Sequence, residues 1–224
     1  MKKPVIAIDG YSSTGKSSIS KVIADKLGII HLDTGALYRG ITWYALENCS
    51  DKDGNINMDK LISKLNEIQL EFVNNEGELV LYVNNKNVSK EIRTHQVSDN
   101  VSLIAKQKEV REYLLQSQRS IAEKGGVIMD GRDIGTVVFP DADFKFFLTA
   151  SIEERTKRRY NELLGLGIEA DENQVKENLI ERDKIDSERE IAPLKQAEDA
   201  IVIDNTHLTK KETIEKMLSY ILNI

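Results

Sequence analysis

Hydrophobic residues along this chain follow two rhythms. Val5-Ile6-Ala7-Ile8 is a short unbroken apolar run ending in Asp9-Gly10, and such runs suit a strand buried on both faces of a parallel sheet. From Lys16 onward Ile19, Val22, Ile23 and Leu27 recur at helical spacing, with Gly28 where a helix would stop. Ile29-Ile30-His31-Leu32 reads as a second strand, and Asp33-Thr34-Gly35 as the start of a helix running to about Asn48. Apolar runs return at Val127-Ile128-Met129, Lys145-Phe146-Phe147-Leu148 and Ala200-Ile201-Val202-Ile203, each followed by helical periodicity. The last of these helices carries Ile214, Met217, Leu218 and Ile221. Alternation of this kind predicts an α/β fold, a parallel sheet with helices on both faces.

One stretch breaks the alternation. Between about Leu70 and Val88 two apolar runs are punctuated by turn signals at Asn74-Asn75-Glu76-Gly77 and Asn84-Asn85, which predicts a small antiparallel β insertion. After it, one long helical segment is expected from about Gln96 to Lys124.

With 224 residues, 40% of them apolar and 30% charged, the chain suits one domain with insertions better than two independent ones. Three prolines and thirteen glycines argue against long disordered linkers, and no fixed-period repeat is visible. A net charge of −6 speaks weakly against a nucleic-acid surface, although clustered arginines can still bind an anion inside an acidic protein. The single cysteine, Cys49, excludes an intrachain disulfide framework and suits a reducing compartment. The apolar run before Asp9 is too short for a signal peptide or a membrane span. A cytoplasmic protein without membrane or nucleic-acid partners is expected, and no long apolar face demands more than a monomer.

Gly10-Tyr11-Ser12-Ser13-Thr14-Gly15-Lys16-Ser17 matches the phosphate-binding pattern G-x-x-x-x-G-K-[ST] in full. Its glycines let the loop converge backbone N–H groups, with Ser18 just beyond, on phosphate oxygens, and the following helix adds its positive end. Lys16 is placed to reach the β- and γ-phosphates of ATP, and the Ser17 hydroxyl to ligate Mg²⁺. Because the motif follows a strand and opens an amphipathic helix, it signals nucleoside triphosphate binding; it leaves the reaction open.

Three classes of protein share such a loop. A GTPase needs Asn-Lys-x-Asp after a late strand, and the Asn-Lys here, Asn85-Lys86, falls inside the expected hairpin. A motor needs additional domains. A small kinase needs cations around a second anion, because phosphoryl transfer gathers negative charge in the transition state. Arg132 and Asp133 follow a strand, where residues line the ligand crevice of an α/β sheet. Arg155, Arg158 and Arg159 share a helix face at i, i+3 and i+4, and Arg182, Asp186 and Arg189 at i, i+4 and i+7. Alone, either triplet reads as a solvated charged face; beside a phosphate loop they become candidates for the second anion.

These residues resemble bacterial cytidylate kinases, a branch of the nucleoside monophosphate kinases, nearly from end to end. The resemblance rests on the phosphate loop, on Leu32-Asp33-Thr34-Gly35-Ala36-Leu37-Tyr38-Arg39, on Glu181-Arg182-Asp183 with Arg189 and Ala192-Pro193-Leu194 downstream, and above all on one long run. That run is Asp130-Gly131-Arg132-Asp133-Ile134-Gly135-Thr136-Val137-Val138-Phe139-Pro140-Asp141-Ala142. It implies a P-loop kinase fold with a core (about 1–35, 125–150 and 190–224) and a monophosphate-binding region (about 36–124) carrying the β insertion (about 65–95). A short helical lid (about 151–189) completes it.

The resemblance also implies roles. Arg39, Arg132 and Arg189 hold the CMP phosphate; Thr34, Arg182 and Asp186 bind the ribose; Ser102, Arg111 and Asp133 read the cytosine edge; and Tyr38 is a further CMP-binding residue. Cytosine offers an amino donor beside two acceptors, which a carboxylate and an arginine complement, whereas uracil turns a carbonyl toward Asp133. Such a buried mismatch costs about 1–3 kcal/mol. Arg155, Arg158 and Arg159 belong to the lid over the ATP phosphates. Two departures stand out: the loop interior Tyr11-Ser12-Ser13-Thr14 replaces a more usual Pro/Ala/Gly-rich version, and Thr34 replaces serine. The expected reaction is ATP + (d)CMP giving ADP + (d)CDP with Mg²⁺. A kinase for UMP or another small acceptor, and a non-catalytic ATP sensor, remain the alternatives.

Overall fold

The computed structural model describes residues 3–75, 78–122 and 125–222. The chain divides into two compact units, Met1–Leu32 with Ile121–Ile224, and Asp33–Ser120.

The first unit is built on a strand that the sequence marks by continuous apolarity. In β1 (Val5–Gly10) Ile6, Ala7 and Ile8 are fully buried, as a strand covered on both faces requires. It pairs in parallel with β6 (Val127–Asp130) on one side and β7 (Phe144–Thr149) on the other. β8 (Ile201–Asp204) adds in parallel to β7, and β2 (Ile30–Asp33) lies beyond β6, giving the order β2-β6-β1-β7-β8. With β1 in the centre and its neighbours reached by later crossovers, the carboxyl end of β1 faces the crevice where such sheets bind ligands.

Helix α1 (Lys16–Leu27) turns Ile19, Ile23 and Ala24 inward and ends at Gly28, whose left-handed φ of 60° lets its N–H reach back to the last turn. α8 (Lys210–Leu222) packs Ile214, Met217 and Ile221 into the same core as Phe146 and Ile203. Two further helices, α6 (Ile152–Gly165) and α7 (Glu172–Glu188), share a small core of Leu163, Val175 and Leu179. Each begins on a side-chain cap, Ser151 and Asp171.

In the second unit α2 (Thr34–Asn48) starts at Asp33, whose carboxylate accepts the Ala36 N–H. Its buried residues Leu37, Ile41, Tyr44 and Ala45 join one cluster with Leu61 of α3 (Met58–Lys64), Leu81 and Val83. The antiparallel insertion is present: β3 (Leu70–Asn75), β4 (Glu78–Val83) and β5 (Lys86–Asn87) form a three-stranded sheet among the described residues. Asn84 and Asn85, at φ 47° and 66°, supply the two left-handed residues that a tight β4–β5 hairpin requires. The turn expected at Asn74–Gly77 includes Glu76 and Gly77, which lie outside the described residues, as does Lys124 at the end of the expected long helix.

That long helix is two helices. α4 (His95–Ala105) stops and α5 (Lys108–Ala122) begins anew. A continuous helix would carry Val110 about half a turn away from Val101, yet both are buried in one core. Breaking the helix at Lys106-Gln107 brings both faces inward, and the Gln107 N–H closes on Ile104 in a tightened last turn.

Candidate active site

The phosphate loop begins where β1 ends. Gly10 has φ 143°, and a Cβ there would lie 2.0 Å from the Leu148 carbonyl oxygen of β7, so only glycine fits. Gly15 caps α1 without any side-chain hydrogen bond, which leaves the first N–H groups of that helix for an anion. Ser18, exposed in the first turn, donates from its hydroxyl to the Gly15 carbonyl at 3.1 Å. Lys16 is buried and donates to the carbonyls of Gly10 at 2.8 Å and Tyr11 at 2.6 Å. Burial, then the nearby Arg132 charge, brings its pKa down to about 7. Thr14 closes the turn by donating from its hydroxyl to the Tyr11 carbonyl at 3.0 Å.

Ser17 Oγ donates to Asp130 Oδ2 at 2.7 Å, at the end of β6, and the other Asp130 oxygen meets His31 Nε2 at 2.6 Å. Asp9, at the end of β1, accepts the N–H groups of Ile134 and Gly135 at 2.8 and 2.7 Å, and so fixes the turn after β6. Burial pushes its pKa up to about 7 against the pull of those two N–H groups.

That turn carries Arg132 and Asp133, which the chain ties to the end of α7. Arg132 donates from Nε to Asp186 Oδ2 at 2.9 Å and from Nη2 to the Ser12 hydroxyl at 2.7 Å. Arg189 lies 3.7 Å from the other Asp186 oxygen and donates to Asp133 Oδ1 at 3.3 Å. Burial raises the Asp186 pKa, but Arg132, Arg189 and Arg182 together outweigh it and hold the carboxyl below its ordinary value. Arg189 is not on the helix face that spacing predicts: it caps α7 in extended backbone, which frees its Nε to donate to the Ala192 carbonyl at 2.7 Å.

The three arginines of α6 do different things. Arg155 is buried; it donates to Asp183 Oδ2 at 2.6 Å, to the Ala150 carbonyl at 3.0 Å and to the Ser12 carbonyl at 3.3 Å. Arg158 grips Asn205 through its side-chain and backbone oxygens at 3.0 and 2.9 Å, while Asn205 donates to the Thr14 carbonyl at 2.9 Å. Arg159 pairs with Glu162 at 2.9 Å. Beside the loop a cavity of 430 Å³ is lined by Gly15, Ser18, Arg158, Asn205, Thr209 and Thr213 among others, a volume suited to a nucleoside.

In the second unit, Arg39 and Asp33 form an ion pair at 2.8 Å across the start of α2, beside the buried Thr34. Arg111 lies over the Tyr38 ring at 5.5 Å and donates to the Ala105 carbonyl at 3.1 Å, capping the end of α4 on which the buried Ser102 sits. Tyr38 and Arg111 are thus in contact, as are Arg39 and Asp33.

Four residues with evident parts in this site went unassigned in the sequence: Asp9, Asp130, Asp183 and Asn205. Asp9, Asp130 and Asn205 stand at or just past the ends of β1, β6 and β8. The rule that picked out Arg132, position beyond a parallel strand, applies to them equally. Asp183 neighbours Arg182 but turns to Arg155, a partnership that only the α6–α7 pairing reveals.

Residues 6–223 match the cytidylate kinase family. The chain belongs to that family. A cytidylate kinase of Bacillus anthracis is 44% identical over 223 residues, covering 100% of this chain and 98% of its own. Those of Bacillus cereus and Bacillus thuringiensis show the same 44% and the same coverage. Among solved structures, an uncharacterised protein from Eubacterium ventriosum aligns with a TM-score of 0.53 at 12% identity, covering 100% of both chains. A gluconokinase from Sinorhizobium meliloti aligns at 0.50 and 13%, covering 100% of this chain and 94% of its own. At such identities the likeness is one of fold, the P-loop kinase fold.

Proposed function

We propose that this member of the cytidylate kinase family moves the terminal phosphoryl group of ATP onto CMP and dCMP by direct in-line transfer. The observation that carries the reading is the linkage of the phosphate loop to an arginine pair: Ser12 to Arg132, and Arg132 through Asp186 to Arg189. Two guanidiniums held by one buried carboxylate present fixed cationic forks beside the loop, the geometry that binds a second phosphate.

On this reading the loop residues Gly10 to Ser18 hold the ATP phosphates, and Lys16 exchanges two backbone carbonyls for phosphate oxygens. The donor base and ribose occupy the cavity lined by Arg158 and Asn205. The acceptor is already an ionised phosphate, so no general base is needed, and catalysis comes from positioning and charge. Arg132 and Arg189 take the CMP phosphate and Arg182 and Asp186 the ribose, while Asp133 accepts from the cytosine amino group. In the Asp33–Ser120 unit Arg39 takes the phosphate, Thr34 and Tyr38 the sugar, and Ser102 and Arg111 the base edge. That unit is the monophosphate-binding region with its β insertion, and α6 with α7 forms the lid.

Magnesium fits the donor set: the Ser17 hydroxyl and the Asp130 carboxylate are hard oxygen ligands at the loop. Bound with ATP, the ion neutralises phosphate charge and orients the transferring group. Arg132→Ala is expected to weaken CMP binding about 100-fold while ATP binding changes far less, the loss of a charged hydrogen-bonding fork. Binding titrations with each nucleotide alone check it. Direct transfer also requires inversion at a chiral γ-phosphate, and retention would exclude it.

A further inference from the structure

The phosphate loop contains a conformational liability. Ser13 has φ 60°, in the left-handed region, without being glycine. Residues held there persist when their surroundings over-determine them. Two residues earlier, the Tyr11 side chain makes ring contacts to both the sheet and α6. Its ring meets the Phe147 ring of β7 edge-on, centroids 5.9 Å apart at 85°. The Arg155 guanidinium lies 5.1 Å from the Tyr11 ring centroid. The carbonyl of the same residue accepts from Lys16 Nζ and from the Thr14 hydroxyl.

Tyr11 therefore joins two things that a phosphate loop must coordinate. Its ring is fixed by the sheet and by α6, and its backbone oxygen fixes the ammonium that meets phosphate. Arg155 belongs to the same clamp: its Nη1 donates to the Ser12 carbonyl and to Asp183, whose other oxygen lies 3.5 Å from the Ser12 N–H. Buried and already committed to the Ala150 carbonyl through Nε, Arg155 is built to hold the loop.

We infer that Tyr11 and Arg155 form an aromatic–guanidinium clamp that keeps the loop in its phosphate-binding shape, both acting as positioning residues for ATP. The inference rests on the kinase reading for its purpose, but its test reads ATP binding with no acceptor present. An error in the acceptor would leave that test intact.

The experiment titrates the full-length protein calorimetrically with ATP alone and with CMP alone, for Tyr11→Phe, Tyr11→Leu, Tyr11→Met, Arg155→Met and the double variant Tyr11→Leu/Arg155→Met. Losing the ring is expected to weaken ATP about 10-fold, from the cation–π and ring–ring contacts, and CMP by no more than about twofold. Tyr11→Phe, which keeps the ring, is expected to recover ATP affinity to within about threefold of the parent. In the double variant the two losses should fall short of their sum, because the Tyr11–Arg155 contact is lost in both single variants while the Arg155 hydrogen bonds and the Phe147 contact are lost separately. Should Tyr11→Leu fail to fold, Tyr11→Met carries the same comparison with Tyr11→Phe. ATP affinity unchanged in a folded ring-less variant overturns the clamp. So does equal weakening of ATP and CMP, or a Phe variant as weak as Leu.

Discussion

Lys16 and Asp133 show how much of the chemistry rests on single side chains. Burial and the Arg132 charge leave Lys16 with a pKa of about 7, so near neutral pH it carries only part of a proton. Phosphate oxygens beside it favour the charged form, and ATP binding is therefore expected to take up protons between about pH 7 and 8. Titrations in buffers of different ionisation heat should show that uptake, and the affinity should fall as pH rises above 7. Lys16→Met should abolish the uptake along with most of the affinity. Asp133 donates nothing when ionised, accepts from Arg189, and on the proposed reading accepts from the cytosine amino group as well. Asp133→Asn is expected to raise the KM for CMP and narrow the preference over UMP by about 10-fold, the worth of one buried hydrogen-bonding mismatch. Steady-state kinetics with both acceptors check it. The P-loop glycines, Lys16 and Arg132 were legible because motif spacing and strand ends announce them. Asp183 and the Tyr11–Phe147 contact were not, because they depend on the pairing of α6 with α7 and of β1 with β7.

Elements explain why the same sequence rules succeeded in one place and failed in another. β1, β6 and β7 are buried on both faces, and unbroken apolar runs foretold them. The α4–α5 break carries neither glycine nor proline, so nothing local marks it; the phase of Val101 against Val110 is the only trace, and it appears once both are known to be buried. Arg111 now has a structural part there, donating to the Ala105 carbonyl and covering the Tyr38 ring. Arg111→Met is expected to lower stability by about 1–2 kcal/mol through those two contacts, a fall of a few degrees in Tm measured by thermal unfolding. At the junction of β1 with the loop the tolerance is smaller. Gly10→Ala drives a Cβ to 2.0 Å from a backbone oxygen of β7, so the strand end must shift. Loss of ATP binding is expected even if the protein still folds, and circular dichroism beside an ATP titration separates the two effects.

For the molecule as a whole, the sheet order β2-β6-β1-β7-β8 concentrates Asp9, Lys16, Asp130 and Asp133 at one end of parallel strands, and that concentration has a stability consequence. Asp9 in the folded chain sits at about 7 against an ordinary 3.8, so its contribution is present at low pH and is lost as pH rises from about 4 to 7. Lys16 sits at about 7 against 10.5, so its contribution is present above about pH 10 and is lost as pH falls toward 7. Together they predict a shallow minimum of stability near neutral pH, flattened on its acid side by Asp9→Asn. Unfolding curves across pH 5 to 9 read it directly. The α/β class, the inserted β hairpin and the kinase family were all legible in the sequence, since alternation, Asn turns and the run from Asp130 to Ala142 encode them. The bounds of the two compact units, Met1–Leu32 with Ile121–Ile224 and Asp33–Ser120, follow from which segments pack on one another, which local sequence signals do not encode.

Acceptor choice is read by an ADP-release assay with ATP and Mg²⁺ against CMP, dCMP, UMP, AMP, GMP and shikimate in parallel. Turnover is expected to be strongest with CMP and dCMP, with UMP well behind. Equal or faster turnover with another acceptor, or none with any of the six by protein that still binds ATP, would contradict the proposed function.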